Sequence, residues 1–329
     1  MPEGIQPGVR MGENCRTHHA ERVYAALRDG ASAAQSAIVA SWSRSATKYG
    51  LNPEDRRPPR RLDQHEFDTA FQRMELLVRL AHTTLDRLFQ SVGEAGCCVL
   101  LTDRDGIPLD RRGVAGDDAD FRRLGLWTGM VWSEASEGTN GVGACLTEGR
   151  ALTIHRDQHF LTRNIALSCT AAPIWDAQGR LCAALDVSTG RSDLTPAMLK
   201  LVSVATMDAA QRIETAYFRE AYRDARIVVG GGGGLLAVDR EDLVAGANRA
   251  ARLAYGLTDE RLARPLPASD LLDGAAGAPA EDLIAAERGA VRRALSRARG
   301  NVSAAARLLG VSRATMHRKL TRFGLDRAT

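Results

Sequence analysis

Asn301 to Phe323, NVSAAARLLGVSRATMHRKLTRF, constrains this chain more than any other stretch. Gly300 ends a preceding helix, because only glycine enters the left-handed cap without steric cost. Ser303 is placed to cap a helix running to Leu309. Gly310 breaks that helix, and Ser312 caps a second one from Arg313 to about Phe323. Ala306, Gly310 and Met316 stand where a helix-turn-helix needs a small residue, a turn glycine and a buried apolar side chain. At about 100° per residue, Met316, Leu320 and Phe323 share one stripe that packs inward. The preceding helix, about Glu281 to Arg299, sets Ile284, Val291, Leu295 and Ala298 on the third wall of this core.

The opposite face of the second helix carries Ala314, His317, Arg318 and Thr321, with Arg322 beside them. Such side chains donate to base edges and phosphates, and Ala314 suits a thymine methyl. With Ser303, Ser312, Arg313, Thr315 and Lys319 they form the candidate DNA-binding set. From Glu281 to the end, eleven Arg and Lys face four Asp and Glu, a balance of +7. The whole chain is +4, so residues 1–280 sum to −3 and the positive charge is concentrated in this tail. An ordinary basic helical hairpin would share the charge but not the caps, turn glycine and core stripe together.

The pattern N-x-S-x-A-A-R-x-L-G-V-S-R-x-T-x-x-R-K-L resembles the Fis-type helix-turn-helix that closes many bacterial sigma-54-dependent activators. The resemblance covers about Glu281 to Leu325. His317 departs from it, standing where an aromatic such as tyrosine is more usual, which leaves the base preference there open.

A chain of 329 residues holds two or three domains, and 44% hydrophobic residues support buried cores. Lysine occurs only at 48, 200 and 319, so arginine carries the positive charge and any single arginine is a weak signal. No stretch approaches the ~20 apolar residues of a membrane span, and the N-terminus has no apolar signal core. The expectation is a cytoplasmic protein with no membrane partner, whose cysteines 15, 97, 98, 145, 169 and 182 are reduced. None form a C-x-x-C pair, and no cofactor or metal is expected. Cys97 and Cys98 fall in an apolar strand on opposite faces and read as buried, inert thiols.

Residues 1 to 16 read as disordered, Thr17 to Leu27 and Ala33 to Tyr49 as helices, and RRPPRRL at 56 to 62 as a solvated tether. A helical period runs from about Asp63 to Val92. Cys97 to Thr102 is an apolar strand, and Asp103-Arg104-Asp105-Gly106 turns into a second. Ala151 to His155 reads as a strand, and Cys169 to Trp175 with Leu181 to Ser188 as a hairpin. Thr195-Pro196 opens a long helix to about Tyr222, with proline where its missing N–H costs nothing. Strands bracketed by helices imply an antiparallel sheet with helices packed on it.

This part resembles a GAF sensory domain, and most closely the N-terminal part of the acetoin-catabolism regulator family. The resemblance rests on WSEASEGTNGVG at 132 to 143, SCTAAPI at 168 to 174, LCAALDVS at 181 to 188 and SWSRS at 41 to 45. It covers about residues 36 to 222. GGGGG at 230 to 234 reads as a flexible joint, and the following LLAVDREDLVAGANRAARLAYG resembles the opening of a PAS domain, here shortened. The expected fold is therefore α+β. A GAF-like antiparallel sheet with flanking helices (63–222) follows an N-terminal helical segment and linker (1–62). A PAS-like remnant (223–280) and a C-terminal all-α helix-turn-helix domain (281–329) complete it.

A full activator of the resembled family carries an ATPase between sensor and tail. A P-loop needs a lysine followed by Ser or Thr. The three lysines here precede Tyr49, Leu201 and Leu320, so the chain reads as that family without its motor. Nothing supplies a matched nucleophile, base and oxyanion donors, so the protein is not expected to be an enzyme. Gly138, Gly141 and Gly143 permit tight turning around Thr139 and Asn140, and Trp127 and Trp132 can wall a cavity. For any single residue, core or loop shaping competes equally with ligand contact. For the region as a whole, the resemblance favours a small-molecule pocket. The candidates are Trp127, Trp132, Glu134, Thr139, Asn140, His155, Cys169 and Thr170. The expected partners are duplex DNA, a small organic effector, a second copy of the chain and RNA polymerase. The competing reading is a non-sensing protein that pairs with or competes against full-length activators, and a haem or redox sensor is a third.

Overall fold

The computed structural model describes residues 13–29, 36–272 and 283–325. These divide into two units. The first takes the described residues up to Ile174 together with Leu181–Ala216, and the second takes Trp175–Arg180 and the described residues from Tyr217 on.

The first unit opens with α1 (Glu13–Arg28) and α2 (Ala37–Ser43), the latter running into a π-helical turn over Arg44–Lys48. The expected disorder over 1–16 lies outside the described residues except at 13–16, where the helix has already begun. The next helix, α3 (Gln64–Val92), starts at a capping box. The Asp63 carboxylate accepts from the Glu66 N–H, and the Glu66 carboxylate accepts from the Asp63 N–H. Its buried Leu77, Ala81, Leu85 and Leu88 recur at helical spacing, so one face enters the core. The 56–62 linker differs from a solvated tether. The Leu62 N–H donates to the Gly129 carbonyl at 2.8 Å, and the Val131 N–H donates to the Arg60 carbonyl at 2.9 Å. Prolines leave this segment extended, and an extended segment pairs readily with a free edge.

Strand β1 (Cys98–Asp103) and β2 (Pro108–Arg112) follow, joined by a turn in which Gly106 has φ 78°. Three short helices come next: α4 (Asp118–Arg123), α5 (Glu134–Glu137) and α6 (Gly141–Glu148). The unit then adds β3 (Leu152–His155), β4 (Ser168–Trp175) and β5 (Leu181–Thr189). The five strands lie in the order β2-β1-β5-β4-β3. β1 is antiparallel to both β2 and β5, and β3 is antiparallel to β4. One face of this sheet carries an apolar cluster of Cys98, Leu100, Phe121, Leu126, Trp132, Val142, Leu167 and Cys169. The long helix α7 (Pro196–Ala221) starts at the expected proline.

In the second unit, β6 (Arg226–Val229), β7 (Leu235–Val238) and β8 (Val244–Ala247) form an antiparallel three-stranded sheet. The glycine run differs from a free joint. It is the loop of the β6–β7 hairpin, closed by the Gly230 N–H donating to the Gly234 carbonyl at 2.7 Å. The pairing of Val228 with Leu236 fixes this register, and no local signal in a glycine run discloses it. Helices α8 (Arg249–Tyr255), capped by Asn248, and α9 (Asp259–Leu262) cover the sheet.

Three further helices end the described chain: α10 (Leu283–Arg297), α11 (Val302–Leu308) and α12 (Arg313–Phe323). Their shared core holds Val291, Ala294, Ala305, Ala306, Met316 and Leu320, with Leu295, Ala298 and Phe323 packed on it. Ile284 is instead 54% exposed, so the wall expected on α10 begins only at Val291. The cap of α11 is Asn301, whose side chain accepts from the Ala304 N–H at 3.0 Å, and not Ser303. Asparagine caps as well as serine does, and Gly300 at φ 80° delivers the chain to it.

Candidate functional site

The glycine-bounded Thr139-Asn140 lies where the chain passes from α5 to α6. Asn140 is fully buried and caps α6: its Oδ1 accepts from the Gly143 N–H and its Nδ2 donates to the Gly138 carbonyl, both at 2.8 Å. Gly138 has φ 63°, and a Cβ there would stand 2.7 Å from the Phe160 ring, so only glycine fits. Thr139 is equally buried and shares a hydrogen bond with the Ser41 hydroxyl at 2.7 Å. Ser41 also donates to Glu134 at 2.5 Å, and Arg44 grips the same carboxylate through Nε at 3.0 Å and Nη2 at 2.8 Å. Ser45 approaches Thr139 at 3.3 Å. The segment from Ser41 to Ser45 therefore locks onto the segment from Glu134 to Asn140. Sequence reasoning treated the first as a separate helix and missed Ser41, Arg44 and Ser45; the signal was the SWSRS motif itself.

The other candidates take separate places. Trp132 is 1% exposed in the apolar cluster and its Nε1 donates to the Gly125 carbonyl at 2.8 Å. Cys169 shares that cluster. Its Sγ lies 3.5 Å from Nε2 of His159, a fully buried imidazole that burial holds near neutral, with its pKa lowered to about 4. Nδ1 of His159 meets the Arg156 carbonyl at 2.8 Å and must donate there. Nε2 then accepts from the thiol, which burial pushes far above its ordinary range. Burial raises the Cys97 thiol as well, to about 11, in keeping with inert cysteines. Thr170 pairs with Thr153 at 3.0 Å and His155 with Ser168 at 2.8 Å, both on the β3–β4 pair. Trp127 is half-buried between two guanidinium groups, Arg111 at 4.2 Å and Arg122 at 4.0 Å from its ring centroid. A cleft of about 250 Å³ opens beside the Ser41 cluster, lined in part by Ile38, Ser41, Glu148, Arg150, Thr153 and Gln158. Among the described residues no group of three His, Cys, Asp or Glu could hold a metal ion.

Asp186 on β5 was not anticipated. It is 1% exposed, and Ser188 donates to one carboxyl oxygen at 2.5 Å. Burial raises its pKa to about 7. Below about pH 4, folded and unfolded chains both hold this proton and it contributes nothing. As pH rises from there to 7, the unfolded chain ionises and the native one resists. The native state then loses on the order of 4 kcal/mol in total, and the loss levels off above 7. Asp186→Asn keeps the shape without the titration. The variant is expected to gain on the wild type by most of that amount between about pH 4 and 8, read by chemical denaturation at each pH. A gain that does not change with pH would mean that the folded carboxyl titrates normally.

In the tail, Ser312 caps α12 by accepting from the Thr315 N–H at 3.1 Å. Arg313, Ala314, His317, Arg318, Thr321 and Arg322 are exposed, whereas Ser303 and Thr315 are half-buried. Thr315 hydrogen-bonds the Ser312 hydroxyl at 2.9 Å and accepts from Arg318 at 3.3 Å. Lys319 pairs with Glu287 on α10, and Arg322 approaches the same carboxylate at 3.5 Å.

Residues 76–213 match the GAF domain model, and residues 284–323 match the model of the bacterial regulatory protein Fis family. The chain carries a GAF domain and a Fis-type helix-turn-helix. Over 186 residues it is 38% identical to the acetoin catabolism regulatory protein of Cupriavidus necator, covering 56% of this chain and 28% of that protein. Over 183 residues it is 29% identical to the acetoin dehydrogenase operon transcriptional activator AcoR of Bacillus subtilis, covering 56% and 30%. The chain thus spans less than a third of the length of either relative. Among solved structures, the crystal structure of the Escherichia coli DhaR(N)–DhaL complex is similar at 20% identity and TM-score 0.50, covering 67% of this chain and 76% of that one. That likeness confirms the GAF-like fold of helices on an antiparallel sheet. Among the described residues no helix is long and apolar enough to cross a membrane.

Proposed function

We propose that this protein is a ligand-responsive transcriptional regulator. Its GAF domain binds a small organic effector, and its helix-turn-helix binds duplex DNA. The observation that carries the reading is the division of α12. Met316 and Leu320 are buried in a three-helix core, while Arg313, Ala314, His317, Arg318 and Thr321 stand exposed on the other side. A helix so divided is built to offer one face to a groove. The similarity to regulators of acetoin catabolism supports the sensing half. The chain acts without hydrolysing ATP, for want of a lysine followed by Ser or Thr, and it works in the cytoplasm alongside RNA polymerase.

The regulator binds as a homodimer, because one short helix-turn-helix offers little contact area and two read a palindrome about 34 Å apart. The seam lies along α7, where Met198, Leu201, Val204 and Met207 are exposed on successive turns. The test is to sequence genomic fragments retained by the purified chain, alongside sedimentation. A dimer and an enriched two-fold-symmetric motif are expected. Leu201→Glu with Val204→Glu should give monomers and reduce retention by roughly tenfold or more, the loss of one paired half-site. Fragments retained without any common motif would overturn the proposal.

A further inference from the structure

The apolar core of the helix-turn-helix and that of the three-stranded sheet share no residue. Polar contacts from one stripe of α10 join them. Arg288, Gly289, Arg292, Arg293, Ser296 and Arg297 follow one another at spacings of one and three, so they fall on a single helix face. Val291, Ala294, Leu295 and Ala298, on the other face, enter the three-helix core. α10 therefore carries the DNA-binding tail on one side and a row of arginines on the other.

The stripe meets the β7–β8 turn and the segment after α9. Arg292 reaches the Glu241 carboxylate at 2.9 Å and that of Asp239 at 3.7 Å, and Arg288 reaches Glu241 at 3.4 Å. Arg293 donates to the Glu241 carbonyl at 3.0 Å. Arg297 donates to one Asp270 oxygen through Nε at 3.0 Å and Nη2 at 2.6 Å, and Ser296 donates to the Pro265 carbonyl. The turn is shaped to receive them: Asp239 Oδ1 accepts from the Glu241 and Leu243 N–H groups, both at 2.9 Å. A Cβ at Gly289 would lie 3.4 Å from the Glu241 Cα, so a methyl just fits and a longer side chain must push the turn away. The forks of these arginines supply direction. Arg288, Arg292 and Arg297 stay between 31% and 47% exposed, so each pair is weak and salt screens it.

We infer that this joint selects the spacing of DNA half-sites. Glu241 and Asp270 are positioning residues that hold the helix-turn-helix at one angle to the three-stranded sheet. The inference rests on the DNA-reading dimer proposed above and adds what sets its half-site spacing. Phe218 and Tyr222, at the end of α7, pack with Leu235, Ala237 and Ile227 of the same sheet. α7 carries the proposed seam, so a docked α10 ties the reading face of α12 to the two-fold axis. A tail hung on flexible chain alone accepts many spacings. A docked tail accepts few, because each added base pair moves a half-site by about 3.4 Å and turns it by about 34°.

Two readouts on the full chain test this. Spin labels at Leu253→Cys on α8 and Leu308→Cys on α11, both exposed, report the joint directly. Cys15 and Cys182 are changed to serine, and the other four cysteines are buried. Pulsed dipolar spectroscopy should give one narrow distance distribution at low salt. The distribution should broaden in about 1 M salt, where the Debye length is about 3 Å. At low salt it should broaden in Glu241→Gln with Asp270→Asn, and in Gly289→Gln, which touches no charge. The second readout is retention of duplexes that carry two enriched half-sites at varied spacing. The wild type should favour its best spacing over one half a turn longer by roughly tenfold or more, the weight of the second half-site. The double variant should reduce that preference to about twofold, with affinity for a single half-site unchanged. Asp270→Arg should do the same, and adding Arg297→Glu should restore the preference, which a merely destabilised chain would not show. A distribution that is broad in the wild type, or narrow in every variant, would overturn the joint. Broadening with the spacing preference intact would overturn its role in spacing. A narrow wild-type distribution with no motif retained at all would instead defeat the DNA-reading dimer, and the spacing role with it.

Discussion

Arg44→Ala is expected to destabilise the GAF-containing unit by about 3–5 kcal/mol, the loss seen when one partner of a buried ion pair is removed. The Glu134 side chain is 1% exposed and Arg44 29%, so little water would replace the guanidinium. Arg44 supplies two of the contacts on that carboxylate, and only Ser41 would remain. For a unit of this size the melting temperature should fall by about 2–4 °C per kcal/mol. The control is Glu134→Gln, alone and with Arg44→Met. If the pair is the source of the loss, the double variant should recover much of it, because no bare charge is left inside. A drop below about 1 kcal/mol for Arg44→Ala would class the contact with surface pairs. The same experiment examines the ligand candidates. Glu134 and Thr139 are held by Ser41, Arg44 and Ser45 from α2 and its π turn, so their substitution should act first on stability.

What could be read from the sequence was what is encoded locally. The tail is set by helical spacing, Gly300, Gly310 and the Ser312 cap, all within two dozen residues, and its core is the expected one at Met316 and Leu320. The strands of the GAF domain were legible because apolar runs end at turns such as Gly106 and Gly179. The details that failed depend on partners far along the chain. The glycine run at 230–234 is a hairpin loop because Val228 meets Leu236. The 56–62 linker is an edge segment because Gly129 and Val131 pair with it. Long-range partners around the candidate site were silent in the sequence for the same reason. Asp186 looked like one polar residue in a strand, and Arg111 like one more arginine in an arginine-rich chain. Only the pairing of both with Leu100 puts them in one row. Trp132 and Asn140, conspicuous in sequence, are explained by a buried core and a helix cap.

DNA binding by the full chain should depend steeply on salt. Arg299, Arg307, Arg313, Arg318 and Arg322 are exposed in each tail, so a dimer brings ten such cations to the duplex. Each phosphate neutralised releases counterions and adds about −0.9 to the slope of log affinity against log salt. With roughly 6–10 phosphates met, affinity should fall by about 10³–10⁵-fold between 50 and 200 mM salt. Arg318→Ala separates the two kinds of contact. If Arg318 reads a base, the cost is about 1–3 kcal/mol on the enriched motif and little on random DNA. Equal loss on both, with a slope flatter by about one unit for each contact removed, would place it on the phosphate backbone. Glu287 supplies the opposite test, because it ties Lys319 and Arg322 to α10. Glu287→Gln removes an anion beside the binding face and releases two cations, so non-specific affinity should rise and the slope steepen. Unchanged binding in both variants would move the DNA-contacting surface off α12 altogether.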